Sequence, residues 1–357
     1  KTKNLKIMKS KIIEESIEIK KFWFIENLNL EFNRINILLW PQSSWKSLVA
    51  KFFYFFKNNI SESYKQIEEW KNTKEFTIYL QDKFLQYFPT KTWWNDSINI
   101  SYIIDWKKII SVKSRKNLIV NLSTEFSDFY ENQLKIFENR HQKRGKEDRE
   151  SIFYFGFLLR EDYIKALKIK FWDFIWNKQV YIPAWRSFFS LLQASIFSFL
   201  SNNSNLDPFL IEFWSFYEQI KQLEVNSFIY SEYSNSRKKE EKQKILSDID
   251  KLVSKIIKWK YRKDKNSDYI IHEDGREVNL SYCSSWQQET LPLLLSLKSA
   301  VNRMYWINGG IDFYIEEPEA HLFPQAQVSI VYLIVLIFNF CNHNKINTNL
   351  FVTTHSP

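Results

Sequence analysis

Five glycines in 357 residues constrain this chain more than any other property of its sequence. Glycine supplies the φ > 0 conformations on which tight turns and close backbone approaches depend, and its average usage is about 7%. A fold rich in turns is hard to build from so few. The chain also carries 14 tryptophans, and several stand where a turn is expected. Trp106 follows Asp105 between two apolar runs, where Asp-Gly is the usual pair, and Trp259 and Trp306 lie in similar contexts.

Hydrophobic residues make up 45% of the sequence, enough to bury a large core in one large domain or two intimate ones. The net charge of +9 permits contact with nucleic acid, another anionic surface or phosphate ligands without demanding any of them. Cys283 and Cys341 lack metal-ligand spacing and are too few for a disulfide framework, which points to a reducing cytosol. Lys1 to Ser10 is basic but has no apolar stretch behind it, so no signal peptide is read. Val328 to Phe340 is too short to cross a bilayer and reads as a buried helix. A soluble cytoplasmic protein with no membrane span is expected.

Period-2 alternation predicts strands at Ile17 to Phe22, Leu28 to Phe32 and Ile35 to Leu39, then a loop and a helix over Leu48 to Phe56. Ile98 to Ile103 and Lys108 to Val112 form an expected hairpin around Asp105-Trp106. From about Ser123 to Lys258 the pattern is mostly helical and strongly charged, with runs at Arg144 to Arg149 and Arg237 to Lys244 that read as solvated helix faces. Ile245, Ile249, Leu252, Val253 and Ile256 share one helical face. A second α/β stretch begins near Tyr269, with Asp274-Gly275 as a hairpin turn.

Residues Trp40-Pro41-Gln42-Ser43-Ser44-Trp45-Lys46-Ser47 match the phosphate-loop pattern G-x-x-x-x-G-K-[ST] everywhere except at its two glycines. Strand, loop and helix is the required context, and the segment through Leu48 is the expected nucleotide-binding loop. Lys46 would reach the β- and γ-phosphates, and the Ser47 hydroxyl would ligate magnesium. Downstream, Ile311 to Ile315 is an apolar strand ending in Glu316-Glu317. Glu316 is the candidate for the magnesium shell and Glu317 for the general base that polarises the attacking water. Phe351 to Thr354 is another strand, ending in His355, which is placed to approach the γ-phosphate. Between them Ser284, Ser285, Trp286 and Gln287 precede a helix and match L-S-G-G-Q in part, again with Trp at a glycine. His321 reads as a local packing or capping residue, and Gln81 and Gln86 are weak candidates for a Q-loop glutamine.

With these four motifs in order over nearly the whole chain, the sequence resembles the ABC-type P-loop ATPases grouped with SMC-like and overcoming-lysogenization-defect (OLD-like) proteins. The run Ile315-Glu316-Glu317-Pro318-Glu319-Ala320-His321-Leu322-Phe323-Pro324 is the most specific part of the likeness. Relatives commonly carry Phe-Gly before the phosphate loop, where Phe22-Trp23 stands here, and a Pro-Ala-x-Arg segment similar to Pro183-Ala184-Trp185-Arg186. Their magnesium residue is more often Asp than Glu. The resemblance implies an α/β fold: an ABC-type core, an antiparallel β-subdomain and a helical insertion lobe. It divides the chain into an N-terminal ATPase lobe at 1–122, the insertion at 123–258 and a C-terminal ATPase lobe at 259–357. It implies ATP and Mg2+ as ligands, hydrolysis in a homodimer or with an ABC-type partner subunit, and Ser284 to Gln287 completing the partner's site. DNA or an effector nuclease is the implied target, in repair or phage defence. A non-hydrolysing scaffold or sensor and a transporter ATPase subunit are the alternative readings. Relatives continue past the histidine with at least another helix and strand, so a fragment is expected.

Trp23, Trp40, Trp45, Trp185 and Trp286 stand at family glycine positions. Random decay would scatter many residue types over these sites, whereas a single type points to a single codon. UGA is read as Trp in some codes and as Gly in others. The expectation is therefore that these codons are UGA and that the natural polypeptide carries glycine there, while the literal sequence has a blocked phosphate loop; the alternative is a genuine pseudo-ATPase whose phosphate loop is filled.

Overall fold

The computed structural model describes residues 14–23, 25–39, 45–93, 97–114, 117–143, 149–171, 175, 177–184, 186, 206–226, 236–264, 268–303 and 310–355. The sequence readings at Lys1 to Ser10, Trp40 to Ser44, Trp185 and Trp306 lie outside these residues. The fold is α/β, and the chain divides into two compact units: 1–33 with 65–156, and 34–64 with 157–357.

The first unit is built on an antiparallel sheet in the order β2-β1-β4-β5-β6. Its strands are β1 Glu15–Phe22, β2 Ile25–Glu31, β4 Ile98–Ile104, β5 Lys107–Ser114 and β6 Leu118–Leu122. Alternation decides which face is inside: Ile17, Ile19, Ile100 and Tyr102 are fully buried, while Lys20 and Lys107 face water. Helices α3 Thr73–Tyr87 and α4 Thr124–Lys143 belong to the same unit, and α2 Tyr64–Glu68 and α5 Arg149–Phe171 each run through a point where the chain passes from one unit to the other. Asn72 starts α3 with a capping box, its side chain accepting from the Glu75 amide while Glu75 accepts from the Asn72 amide. Phe76 of α3 stacks on Tyr130 of α4 at 4.8 Å. Sequence pattern alone left α3 and β6 unread.

The second unit carries a four-stranded parallel sheet in the order β3-β12-β11-β7. These strands are β3 Ile35–Leu39, β7 Lys178–Ile182, β11 Ile311–Glu316 and β12 Thr348–Thr354. Within the stretch whose pattern reads as helical, Lys178–Ile182 is thus a strand, paired with β11. Five residues flanked by helices are too short to stand out by periodicity, and burial against a neighbouring strand fixes their conformation. Every residue of β11 is buried, as befits a central strand covered on both faces.

On one face lies α1, Lys46–Ser61, whose Phe53 meets Phe351 at 5.7 Å and whose Tyr54 meets Tyr181 and Tyr314 at 5.4 and 5.7 Å. The other face, with Phe313, Ile315 and Leu350, packs into a core shared with α6 Pro208–Asn226, α7 Ser236–Ile257, α8 Ser285–Arg303 and α9 Pro324–His343. Ile249, Val253 and Ile256 of α7 enter this core, as their common helical face requires. Helix α9 is longer than the run read from sequence. By length and composition it could cross a membrane. Ile330, Leu333, Ile334 and Ile337 are buried in the core, while Val328, Val331, Tyr332 and Val335 are exposed. A three-stranded sheet, β8 Lys260–Lys263, β9 Asp268–Ile271 and β10 Glu277–Asn279, completes this unit. Gly275 turns the β9–β10 hairpin at φ 83.

Candidate functional site

In a parallel sheet all strands end at one edge, and crevices at the carboxyl ends are where such sheets bind ligands. Leu39 is registered with Thr354, and Glu316 with Thr353, so the end of β3, His355 and Glu317 gather at one such edge. Helix α1 starts there. Trp45 precedes it in helical conformation (φ −65), gives no side-chain cap, and no acidic residue sits in the first turn. The amides of a first helical turn lack intrahelical acceptors and carry the positive end of the helix dipole, so this terminus suits an anion.

Lys46, the first residue of α1, is 3% exposed, and its ammonium donates to the Thr354 carbonyl at 2.9 Å. The same Nζ lies 3.0 Å from His355 Nδ1. Burial lowers the Lys46 pKa, against the opposite pull of the Glu317 and Glu319 carboxylates. On its other side His355 meets Glu317, Nε2 to Oε1 at 2.6 Å. Lysine, histidine and carboxylate therefore form one chain of contacts drawn from α1, the end of β12 and the end of β11.

Glu319 completes the cluster. Its Oε1 accepts the His355 amide at 2.8 Å and the Thr354 hydroxyl at 2.5 Å, which holds the histidine backbone against the β11–α9 loop. Sequence reading named Glu319 only as part of a motif and gave it no role. Glu317 takes φ 42, a conformation that costs a residue with a side chain roughly 1–2 kcal/mol and is kept only where its surroundings enforce it.

Glu316 points elsewhere. Its carboxylate, 7% exposed, accepts the Tyr181 hydroxyl at 2.6 Å and the Ala184 amide at 3.2 Å, on the β7 side of β11. Among the described residues no hydrogen bond joins it to Ser47. Burial, reinforced by this carboxylate, raises the Tyr181 hydroxyl well above its usual pKa, so the tyrosine stays a neutral donor. Ser47 and Leu48 continue the first turn of α1 after Lys46, and both are half-buried.

The loop before α8 is stapled to itself. The Ser284 hydroxyl and amide both approach Gln287 Oε1, at 2.7 and 3.2 Å, and the Gln287 side chain, 2% exposed, also donates to the Ile257 carbonyl at 3.4 Å. Trp286 packs partly against the core. Of the four residues read as a nucleotide-contacting loop, Ser284 and Ser285 are exposed and Gln287 serves as an internal cap. Burial raises the neighbouring Cys283 thiol to about 11, so it is not a thiolate at neutral pH.

Among the described residues no group of three or more His, Cys, Asp or Glu side chains is arranged to hold a metal. Magnesium is commonly held by one or two protein oxygens together with substrate phosphates and water. Ser47 can supply one such oxygen. Glu316 accepts one hydrogen bond on each carboxylate oxygen, from Tyr181 and Ala184, and each oxygen keeps a further lone pair for a cation.

No protein-family model matches the sequence, and no curated protein matches it. Among solved structures the chain is similar to the recombination mediator protein RecF with ATP, from the RecFOR pathway, at 13% identity and a TM-score of 0.35, over 96% of this chain and 94% of that one.

Proposed function

We propose that this chain is an ABC-type P-loop ATPase that binds ATP at the amino end of α1 and hydrolyses it with Glu317 as general base. The observation that carries the reading is the Lys46–His355–Glu317 chain of contacts beside an uncapped helix terminus at the carboxyl edge of a parallel sheet. Lys46 neutralises charge on the β- and γ-phosphates. Glu317 takes a proton from the water that attacks the γ-phosphorus, the bond to the β–γ bridging oxygen breaks, and ADP and phosphate leave. His355 orients Glu317 through Nε2 and stands near the γ-phosphate. Ser47 and Glu316 would hold magnesium, which would supply charge neutralisation on the leaving group. Ser284 and Ser285, exposed at the start of α8, reach the nucleotide of a second subunit in a dimer, and the cycle drives work on nucleic acid or a partner effector.

This reading requires glycine in the phosphate loop, because the indoles of Trp40 and Trp45 would fill the space that backbone amides need in order to approach phosphate. The test is ATP binding and turnover by the protein carrying W40G, W45G and W286G. It is expected to bind and hydrolyse ATP where the tryptophan form does neither. E317Q in the restored protein is expected to lower turnover roughly 10²- to 10⁴-fold, the range of a general base, with binding kept. A restored protein that binds no ATP, or whose turnover is indifferent to E317Q, overturns the reading.

A further inference from the structure

Arg186 is a fully buried arginine in the second unit, at 0% exposure. Its guanidinium contacts Glu289, Pro183 and the Glu316–Glu317 backbone. Nε donates to the Glu289 backbone carbonyl at 2.9 Å and lies 3.7 Å from the Glu289 carboxylate, while Nη1 donates to the carbonyls of Pro183 at 2.8 Å and Glu316 at 2.9 Å, and Nη2 to that of Glu317 at 3.3 Å. The Arg186 amide donates to Glu289 Oε1 at 2.9 Å. The Glu316 and Glu317 carbonyls flank the φ and ψ torsions of Glu317, the residue held at φ 42. One planar fork thus grips the backbone on both sides of the strained residue, a geometry the single ammonium of a lysine cannot reproduce. Glu289 stands in the second turn of α8, close behind the Ser284–Ser285 loop.

We propose that Arg186 is a positioning residue that sets the left-handed backbone of Glu317, and with it the aim of the Glu317 carboxylate at His355, and that ties this geometry to the start of α8. The inference rests on the ATPase reading above. Arg186 touches no reacting atom. Its contribution falls on the chemical step and not on nucleotide binding, since Lys46 and the first turn of α1 are held by other bonds.

The test uses the glycine-restored protein with R186K, E289Q, E317Q and the R186K/E317Q pair. R186K keeps the charge and loses the fork; E289Q keeps the accepting oxygen and loses the countercharge. R186K is expected to lower kcat roughly 10- to 100-fold, the scale of a slightly misplaced catalytic group, with KM for ATP unchanged. In the E317Q background R186K should lower the residual rate no further, because an interaction that works through Glu317 has nothing left to act on. E289Q should fold and give a smaller fall in kcat. A folded R186K with the parent kcat, a rise in KM in place of the fall in kcat, or full additivity with E317Q each overturns the proposal. So does an R186K that fails to fold while E289Q keeps the parent kcat, since Arg186 is then only a core strut. If E317Q itself leaves turnover intact, the ATPase reading fails and not this inference alone.

Discussion

Trp106 stands in the two-residue turn between β4 and β5 with φ 68, after Asp105 with φ 48, and its ring is 80% exposed. Two successive positive φ values make the turn of the type that favours Asp-Gly. Trp70 shows the same requirement at a helix end. Its amide bonds the Ile67 carbonyl and the Lys71 amide the Gln66 carbonyl, with φ 61 at Trp70, which is the glycine position of a Schellman motif. Trp23, in the β1–β2 turn, has φ 52. These three backbones ask for glycine on conformational grounds. Trp45 (φ −65) and the helical Trp286 do not, and there the case for glycine is close approach to a ligand. W106G is therefore expected to stabilise the protein: relief of roughly 1–2 kcal/mol of left-handed strain outweighs the roughly 0.4–1 kcal/mol that glycine adds to unfolded-chain entropy. Calorimetry checks it, and a lower Tm for W106G would refute it.

Strand β11 is anchored at its amino end by a charge network unrelated to the candidate site. Asp312 and Lys57 are both at 0% exposure and 2.7 Å apart, and Asp312 also accepts from Asn177, Gln179 and Asn349 at 2.8, 3.0 and 2.7 Å. The carboxylate joins α1, β7, β11 and β12 at one point. Removing one partner of such a pair leaves an uncompensated buried charge, so K57M is expected to destabilise by about 3–5 kcal/mol. Urea denaturation measures it, and a loss within error of zero would show that the three amides alone suffice. Just before this strand Gly310 is needed for space: a Cβ there would lie 1.9 Å from the Asn347 carbonyl oxygen.

At the scale of the whole molecule the two units interleave along the chain. Residues 34–64 supply β3 and α1 to a unit otherwise made from 157–357. Strand β3 is an edge of the parallel sheet, and α1 buries Val49, Phe52, Phe53 and Phe56, each at 0% exposure. The fragment 157–357 produced alone would expose the face of β7, β11 and β12 that α1 covers, and would leave Asp312 without Lys57. It is expected to lack a cooperative unfolding transition, and adding 34–64 through a linker is expected to restore one. A sharp transition in the fragment by circular dichroism would contradict this.

The sequence by itself determined the local events. Alternation marked β1, β3, β4 and β5, periodicity marked α1 and α7, and Asp105-Trp106 marked its turn, because each depends on side-chain spacing and backbone preference within a few residues. It also marked Lys46, Glu317 and His355 by their contexts. Only the tertiary structure decided what depends on distant neighbours. Strand β7 is a strand because β11 pairs with it. Lys46 and His355 meet across 309 residues because β3 and β12 are adjacent. Glu316 turns to Tyr181 while Glu317 turns to His355, although the two carboxylates are sequence neighbours of one chemical type. Spacing cannot separate them, since what does so is the direction of the backbone at Glu317, and Arg186 is the side chain that grips it.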